Sequence, residues 1–150
     1  MRSADEQIEA LLRGGVGEWA AEQLDTPGDI DDRDFFDFVS VTVDEVTAHV
    51  RARNVAGAAL WVPGNDPSER DDRYVVEPSG DAWKVYYAAR GRERNLRVHA
   101  NYDEALRDAV SRLFDDAWVA LSHNYWHAHH PELERLPAFG TPWPKPKARA

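Results

Sequence analysis

Asn101-Tyr-Asp-Glu-Ala-Leu-Arg-Asp-Ala-Val-Ser-Arg-Leu-Phe-Asp-Asp-Ala-Trp-Val-Ala-Leu121 is the stretch that decides the fold. Its apolar stripe is Tyr102, Ala105, Leu106, Ala109, Val110, Leu113, Phe114, Ala117, Trp118 and Leu121. That three-and-four spacing marks an amphipathic α-helix of about five turns. Asn101 stands as its N-cap, with Glu104 three residues on. Such a stripe needs an apolar surface to lie on. The residues just upstream supply one, because Ala82–Ala89 alternates with Trp83, Val85 and Tyr87 on one face and Lys84 and Tyr86 on the other. Tyr74–Glu77 precedes it as a strand, joined by the turn Pro78-Ser-Gly-Asp81. Arg90-Gly-Arg-Glu-Arg94 is the next turn, and Asn95–His99 a third strand with Leu96 and Val98 sharing a face. The helix is expected to cross the apolar face of this meander. Ala58–Val62 is a short apolar run whose place in the sheet the pattern leaves open.

Towards the N-terminus the same capping chemistry recurs at Ser3-x-x-Glu6 and Thr42-x-x-Glu45. The first helix is expected over Ala4–Leu24, with Ile8, Leu11, Leu12, Val16, Trp19 and Leu24 inward. Gly14, Gly15 and Gly17 interrupt it and predict a kink, a break or a close backbone contact. A second helix is expected over Val43–Asn54, with Val43, Val46, Thr47 and Val50 inward. The expected fold is therefore α+β: an antiparallel meander of three to four strands, packed by a long helix in the C-terminal half, with two N-terminal helices. Its expected extent is one domain over residues 1–136, followed by a Pro-rich basic tail over 137–150.

The chain has 150 residues, 43% of them apolar, six tryptophans and no cysteine. That composition suits one packed domain without disulfides or thiolate metal sites. No apolar run reaches the roughly 20 residues of a membrane helix. Met1-Arg-Ser-Ala-Asp-Glu-Gln7 has no secretory apolar stretch. A cytoplasmic protein with no membrane partner is expected. Fifteen arginines against three lysines suggest a GC-rich coding genome, most simply an actinobacterial one.

The net charge of −9 is regional. Residues 1–48 hold thirteen acids and three bases, a net of −10; residues 49–150 hold fourteen acids and fifteen bases, a net of +1. A phosphate backbone is repelled by such a surface, so nucleic acid is not the expected partner. A basic protein is attracted and steered. Within the acidic third, Asp29–Phe38 alternates acids with aromatics. Period two places Phe35 and Phe36 on opposite faces of a strand, so the segment is either a helical turn or leaves one ring exposed. Asp29, Asp31, Asp32, Asp34, Phe35, Phe36 and Asp37 form the candidate partner surface: charge speeds encounter and aromatics supply buried anchors.

Enzymatic readings are poorer. If the long helix continues past Leu121, His123 and His127 lie one turn apart, with His130 and Asp116 on nearly the same arc. These are the candidate metal ligands, but Asn124 stands where a metalloprotease helix carries its Glu. Ser122 and His123 are helix neighbours, pointing about 100° apart, and cannot pair as nucleophile and base. Asp71-Asp72 and Asp115-Asp116 read as solvated faces. Gly14-Gly-Val-Gly17 lies inside a helical pattern, so it is no phosphate loop. Arg90, Arg92, Arg94 and Arg97 are a basic spot on a hairpin, read as a solvated turn. No catalytic residue and no cofactor are expected.

Trp83-Lys-Val-Tyr-Tyr87, Arg90-Gly91, Leu96-Arg-Val98 and the Tyr102-Asp-Glu-Ala105 helix start together resemble small immunity proteins of bacterial polymorphic toxin systems, over residues 83–121. The resemblance implies a cytoplasmic neutraliser that binds a cognate toxin domain and works by occlusion, so it brings no catalytic residues. A toxin with a basic active site fits the acidic and aromatic surface, and a monomer is expected. The competing expectations are an acidic secretion chaperone, normally dimeric, and a metal-dependent enzyme built on the histidines.

Overall fold

The computed structural model describes residues 2–25, 30, 33–132 and 139. The helix that opened the sequence reading is the longest element, α4 (Tyr102–His129). Asn101 accepts a hydrogen bond from the Glu104 N–H at 2.9 Å, as its cap position predicts. The helix runs about two turns beyond Leu121, because Ser122 and Trp126 are also buried and extend the stripe.

The sheet has the order β1-β2-β3-β4. Strands β2 (Arg73–Ser79), β3 (Ala82–Ala89) and β4 (Arg92–His99) form the expected antiparallel meander. The apolar run at 58–62 does join the sheet, as β1 (Leu60–Trp61), but it pairs parallel to β2. The sheet is therefore mixed and mostly antiparallel, the expected meander with one parallel strand added beside β2. The reason lies in the loop over residues 62–72: it folds back through a 3-10 turn at Pro67–Glu69, so β2 starts alongside β1 instead of returning as a hairpin.

The predicted first helix is two helices, α1 (Ala4–Arg13) and α2 (Val16–Ala21). Gly14 and Gly15 separate them with φ of 76° and 66°, a left-handed conformation that ends α1 and redirects the chain. Helix α3 (Val43–Arg53) begins with a full reciprocal box between Thr42 and Glu45, and Val46 and Val50 are wholly buried. Gln7 stitches α1 to the segment before α3. Its carbonyl accepts from the N–H groups of Ser40 and Val41, at 2.8 and 3.2 Å, and its amide donates to the Arg2 carbonyl at 2.8 Å. A buried amide so satisfied fixes register at little cost.

The main core lies between α4, the three N-terminal helices and the inner face of the sheet, where Val76 and Val85 point. A second, smaller cluster of Trp61, Val75 and Tyr86 occupies the outer face. Arg70 stacks over the Trp61 ring at 5.5 Å, and Glu77 accepts from Arg70, Tyr86 and Lys84. Leu96 and Val98 do share a face, but it is the outer one, 48% and 62% exposed. Facing α4 instead are Arg97 and His99, paired across the sheet with Val85 and Trp83. Both reach Asp108 on α4, at 2.9 and 2.8 Å, and Arg112 adds a third contact at 3.2 Å. Arg112 also donates to the Asn95 carbonyl at 2.8 Å. The edge strand β4 is thus held to α4 by charge, where the rest of the sheet is held by apolar packing.

Candidate functional site

The acidic and aromatic stretch folds as a 3-10 turn, Phe35–Asp37. Asp34 and Asp37 spend their charges locally: each carboxylate accepts from the other's backbone N–H, at 3.2 and 2.9 Å. Phe35 is 1% exposed and packs against Phe114, Trp118 and Phe139. Its N–H donates to the Ser122 hydroxyl at 2.9 Å, across 87 residues of sequence. Two of the expected surface residues, Asp34 and Phe35, are therefore buried and serve the fold; burying the ring and capping the turn took precedence. Phe36, 40% exposed, and the exposed Asp37 remain at the surface. Asp29, Asp31 and Asp32 lie outside the described residues, as does the turn Thr26–Asp29.

The wider acidic surface is better developed than that stretch. Of the ten described acids in the first 48 residues, nine are exposed, Asp34 being the exception. Of those nine, Glu6 and Asp44 form ion pairs with a base, at 3.8 Å to Arg2 and 3.0 Å to Arg107. Arg90, Arg92 and Arg94 are exposed on the β3–β4 hairpin, and Arg97 is engaged with Asp108.

Helix α4 brings two of the candidate metal ligands together: the His123 and His127 rings lie edge to face, 4.5 Å between centroids. The other two turn away. His130 stacks on Trp126 at 4.0 Å and approaches Glu132, and Asp116 accepts from the Tyr74 hydroxyl at 2.8 Å. Among the described residues no three His, Asp or Glu side chains converge as a metal cage. His130 departs from the arc because the helix ends there, with backbone φ of −136°.

A cavity of about 350 Å³ opens where the α1–α2 break meets the sheet and α4. Its floor is the turn Gly14–Gly17, and its walls include Leu11, Ala59, Leu113 and Ala117. Two tyrosines, Tyr74 from β2 and Tyr87 from β3, meet edge to face with centroids 5.2 Å apart. Asp72 and Asp116 bring carboxylates, and Arg13 one guanidinium. Burial, then the hydrogen bond to Asp116, pushes the Tyr74 phenol well above its ordinary range. Burial, then the charges of Asp72, Asp116 and Asp71, raises Tyr87. Both rings are neutral phenols at physiological pH, and Asp116 holds its Tyr74 hydrogen bond as an acceptor.

Sequence reasoning named Gly14–Gly17, Asp72 and Asp116 separately and gave them no common role. The signal that could have joined them is weak: glycines in a helical pattern and carboxylates beside tyrosines only meet once the sheet and α4 are docked. No known protein family, characterised protein or solved structure matches this chain.

Proposed function

We propose that this chain is an immunity protein that binds a cognate toxin domain, basic around its active site, and neutralises it by occlusion. The observation that carries this reading is the strong excess of acid in the first third, whose described acids are nearly all exposed and mostly unpaired with bases. Such a surface raises encounter rates with a basic partner and repels nucleic acid. Phe36, beside Asp37, adds the apolar contact that an electrostatic encounter needs in order to last. In this reading the protein acts in the cytoplasm, as a monomer, without a cofactor and without chemistry of its own. Among the described residues no helix is long and apolar enough to cross a membrane, which is compatible with that role.

The test pairs the chain with the toxin domain encoded beside its gene. Co-expression restores growth if the reading is right. In stopped-flow association, reversing Asp5, Glu9 and Glu22 to Lys together lowers the on-rate by about tenfold or more and flattens its salt dependence. Phe36→Ala acts instead on the off-rate. An on-rate indifferent to the charge reversals sinks the acidic surface as the interface. The chaperone reading would draw on a different feature, the exposed Leu96 and Val98 on edge strand β4, which could hold an extended segment. A dimer by analytical ultracentrifugation, with affinity for an unfolded segment lost in Val98→Lys, would favour it.

A further inference from the structure

The cavity between the α1–α2 turn and the tyrosine pair has a composition that selects one kind of occupant. Most of its wall is aliphatic or aromatic, and its polar groups are two carboxylates, two phenols and one guanidinium. An anion would have to lie against Asp72 and Asp116. A wholly apolar group would leave the carboxylates desolvated without compensation. A flexible alkyl chain ending in a cation meets both needs, because its stem packs on apolar wall while its head takes the carboxylates and the negative ring faces. Volume argues the same way: ligand cavities span about 300–1,000 Å³, and this one is at the small end, suited to one long side chain.

We propose that this cavity receives an arginine or lysine side chain presented by a partner protein, its stem against Leu11, Leu113 and Ala117 and its charged head between Tyr74, Tyr87, Asp72 and Asp116. The inference rests on the protein-binding reading above and gives it an anchor point. The cavity's floor, Gly14–Gly17, belongs to the third of the sequence that carries the excess acid, with the exposed Glu18 next in the chain. Arg13, exposed at the same site, offsets one of the two carboxylates and leaves the lining with a formal charge of −1. The Tyr74 hydroxyl, donating to Asp116 at 2.8 Å, holds that carboxylate ready as an acceptor.

The test needs no toxin, so its failure is separable from failure of the immunity reading. The probes are two capped tripeptides, Ac-Ala-Arg-Ala-NH2 and its citrulline counterpart, a neutral isostere. They are titrated into the isotope-labelled full chain at constant ionic strength and followed by backbone amide shifts. The arginine peptide is expected to give saturable shifts centred on Gly14, Gly15, Gly17 and Tyr74. Its dissociation constant is expected at about the millimolar level, with the citrulline peptide about tenfold weaker. Asp116→Asn should weaken the arginine peptide about tenfold as well. Asp72→Asn serves as the second variant: Asp72 has φ of 57°, a conformation Asn adopts readily, so its fold is retained. Equal binding of both peptides, shifts spread over the whole acidic surface, or saturable binding of n-butyrate at these amides would each overturn the proposal. So would tighter binding of free L-arginine than of the peptide, which would make the occupant a small metabolite.

Discussion

Asp108 is the residue on which the inner face of β4 depends. Its side chain is 8% exposed and meets Arg112, 9% exposed, together with His99 and Arg97. Burial alone would raise its carboxyl, but His99, Arg112 and Arg97 outweigh burial and hold it below the usual carboxylate range. Asp108→Asn is expected to cost about 3–5 kcal/mol in urea unfolding at neutral pH, since it strands the Arg112 charge. A carboxyl lowered on folding stabilises above its unfolded value of about 3.9 and loses that contribution as pH falls through its folded value. The gap between wild type and Asp108→Asn should therefore close below about pH 4. Ser122 is a second single-residue dependency. Ser122→Ala leaves the buried Phe35 N–H without its acceptor and is expected to cost about 1–3 kcal/mol. The Asp108–Arg112 spacing of four was readable on a helix, but Arg97 and His99 were not, because nothing local says which strand will lie beneath. The sequence offers Ser122 only the neighbour His123, with which it cannot pair as nucleophile and base, while its actual partner sits 87 residues away.

At the scale of elements, α4 was legible because its signal is local and redundant: a cap, a stripe and ten apolar positions agree. The caps at Ser3, Thr42 and Asn101 were legible for the same reason, and the Ser3 hydroxyl accepts from Glu6 N–H as its spacing requires. Strand β4 shows the limit. Alternation reveals which residues share a face, never which face turns inward. Leu96 and Val98 looked like the core face, yet Arg97 and His99 occupy it, since Asp108 and Arg112 wait on α4. The double variant Leu96→Thr with Val98→Thr should then leave thermal stability nearly unchanged, within about 0.5 kcal/mol per site. A large loss would mean that this face is covered in solution. The 3-10 turn at Phe35–Asp37 resolved both branches of the sequence reading at once: the segment is a helical turn, and one ring, Phe36, is exposed.

For the whole molecule, the class of the fold and the regional charge followed from composition and pattern, whereas the assembly of distant pieces did not. The cavity draws on the α1–α2 break, two strands and α4, and no window of sequence contains it. Phe139, three residues past the expected boundary at 136, packs on Phe35, Phe36, Phe114 and Trp118. The rest of 137–150 lies outside the described residues. Phe139→Ala is expected to lower stability by about 1–3 kcal/mol, less than a fully enclosed phenylalanine, and truncation after residue 136 should match it. If neither changes the unfolding midpoint, the contact contributes nothing and the boundary stands at 136.

Helix α4 touches α1, α2, α3, the 3-10 turn and the three meander strands, and it comes after all of them in the chain. During synthesis, then, the sheet and the N-terminal helices leave the ribosome with no lid over their shared apolar side. Local hairpin formation can proceed, but the core closes only when α4 arrives, so closure is a late and nearly all-or-none event. A nascent chain halted near residue 100 would expose Val76, Val85 and the inward residues of α1 and α3 together, and would be a natural client for chaperones and proteases.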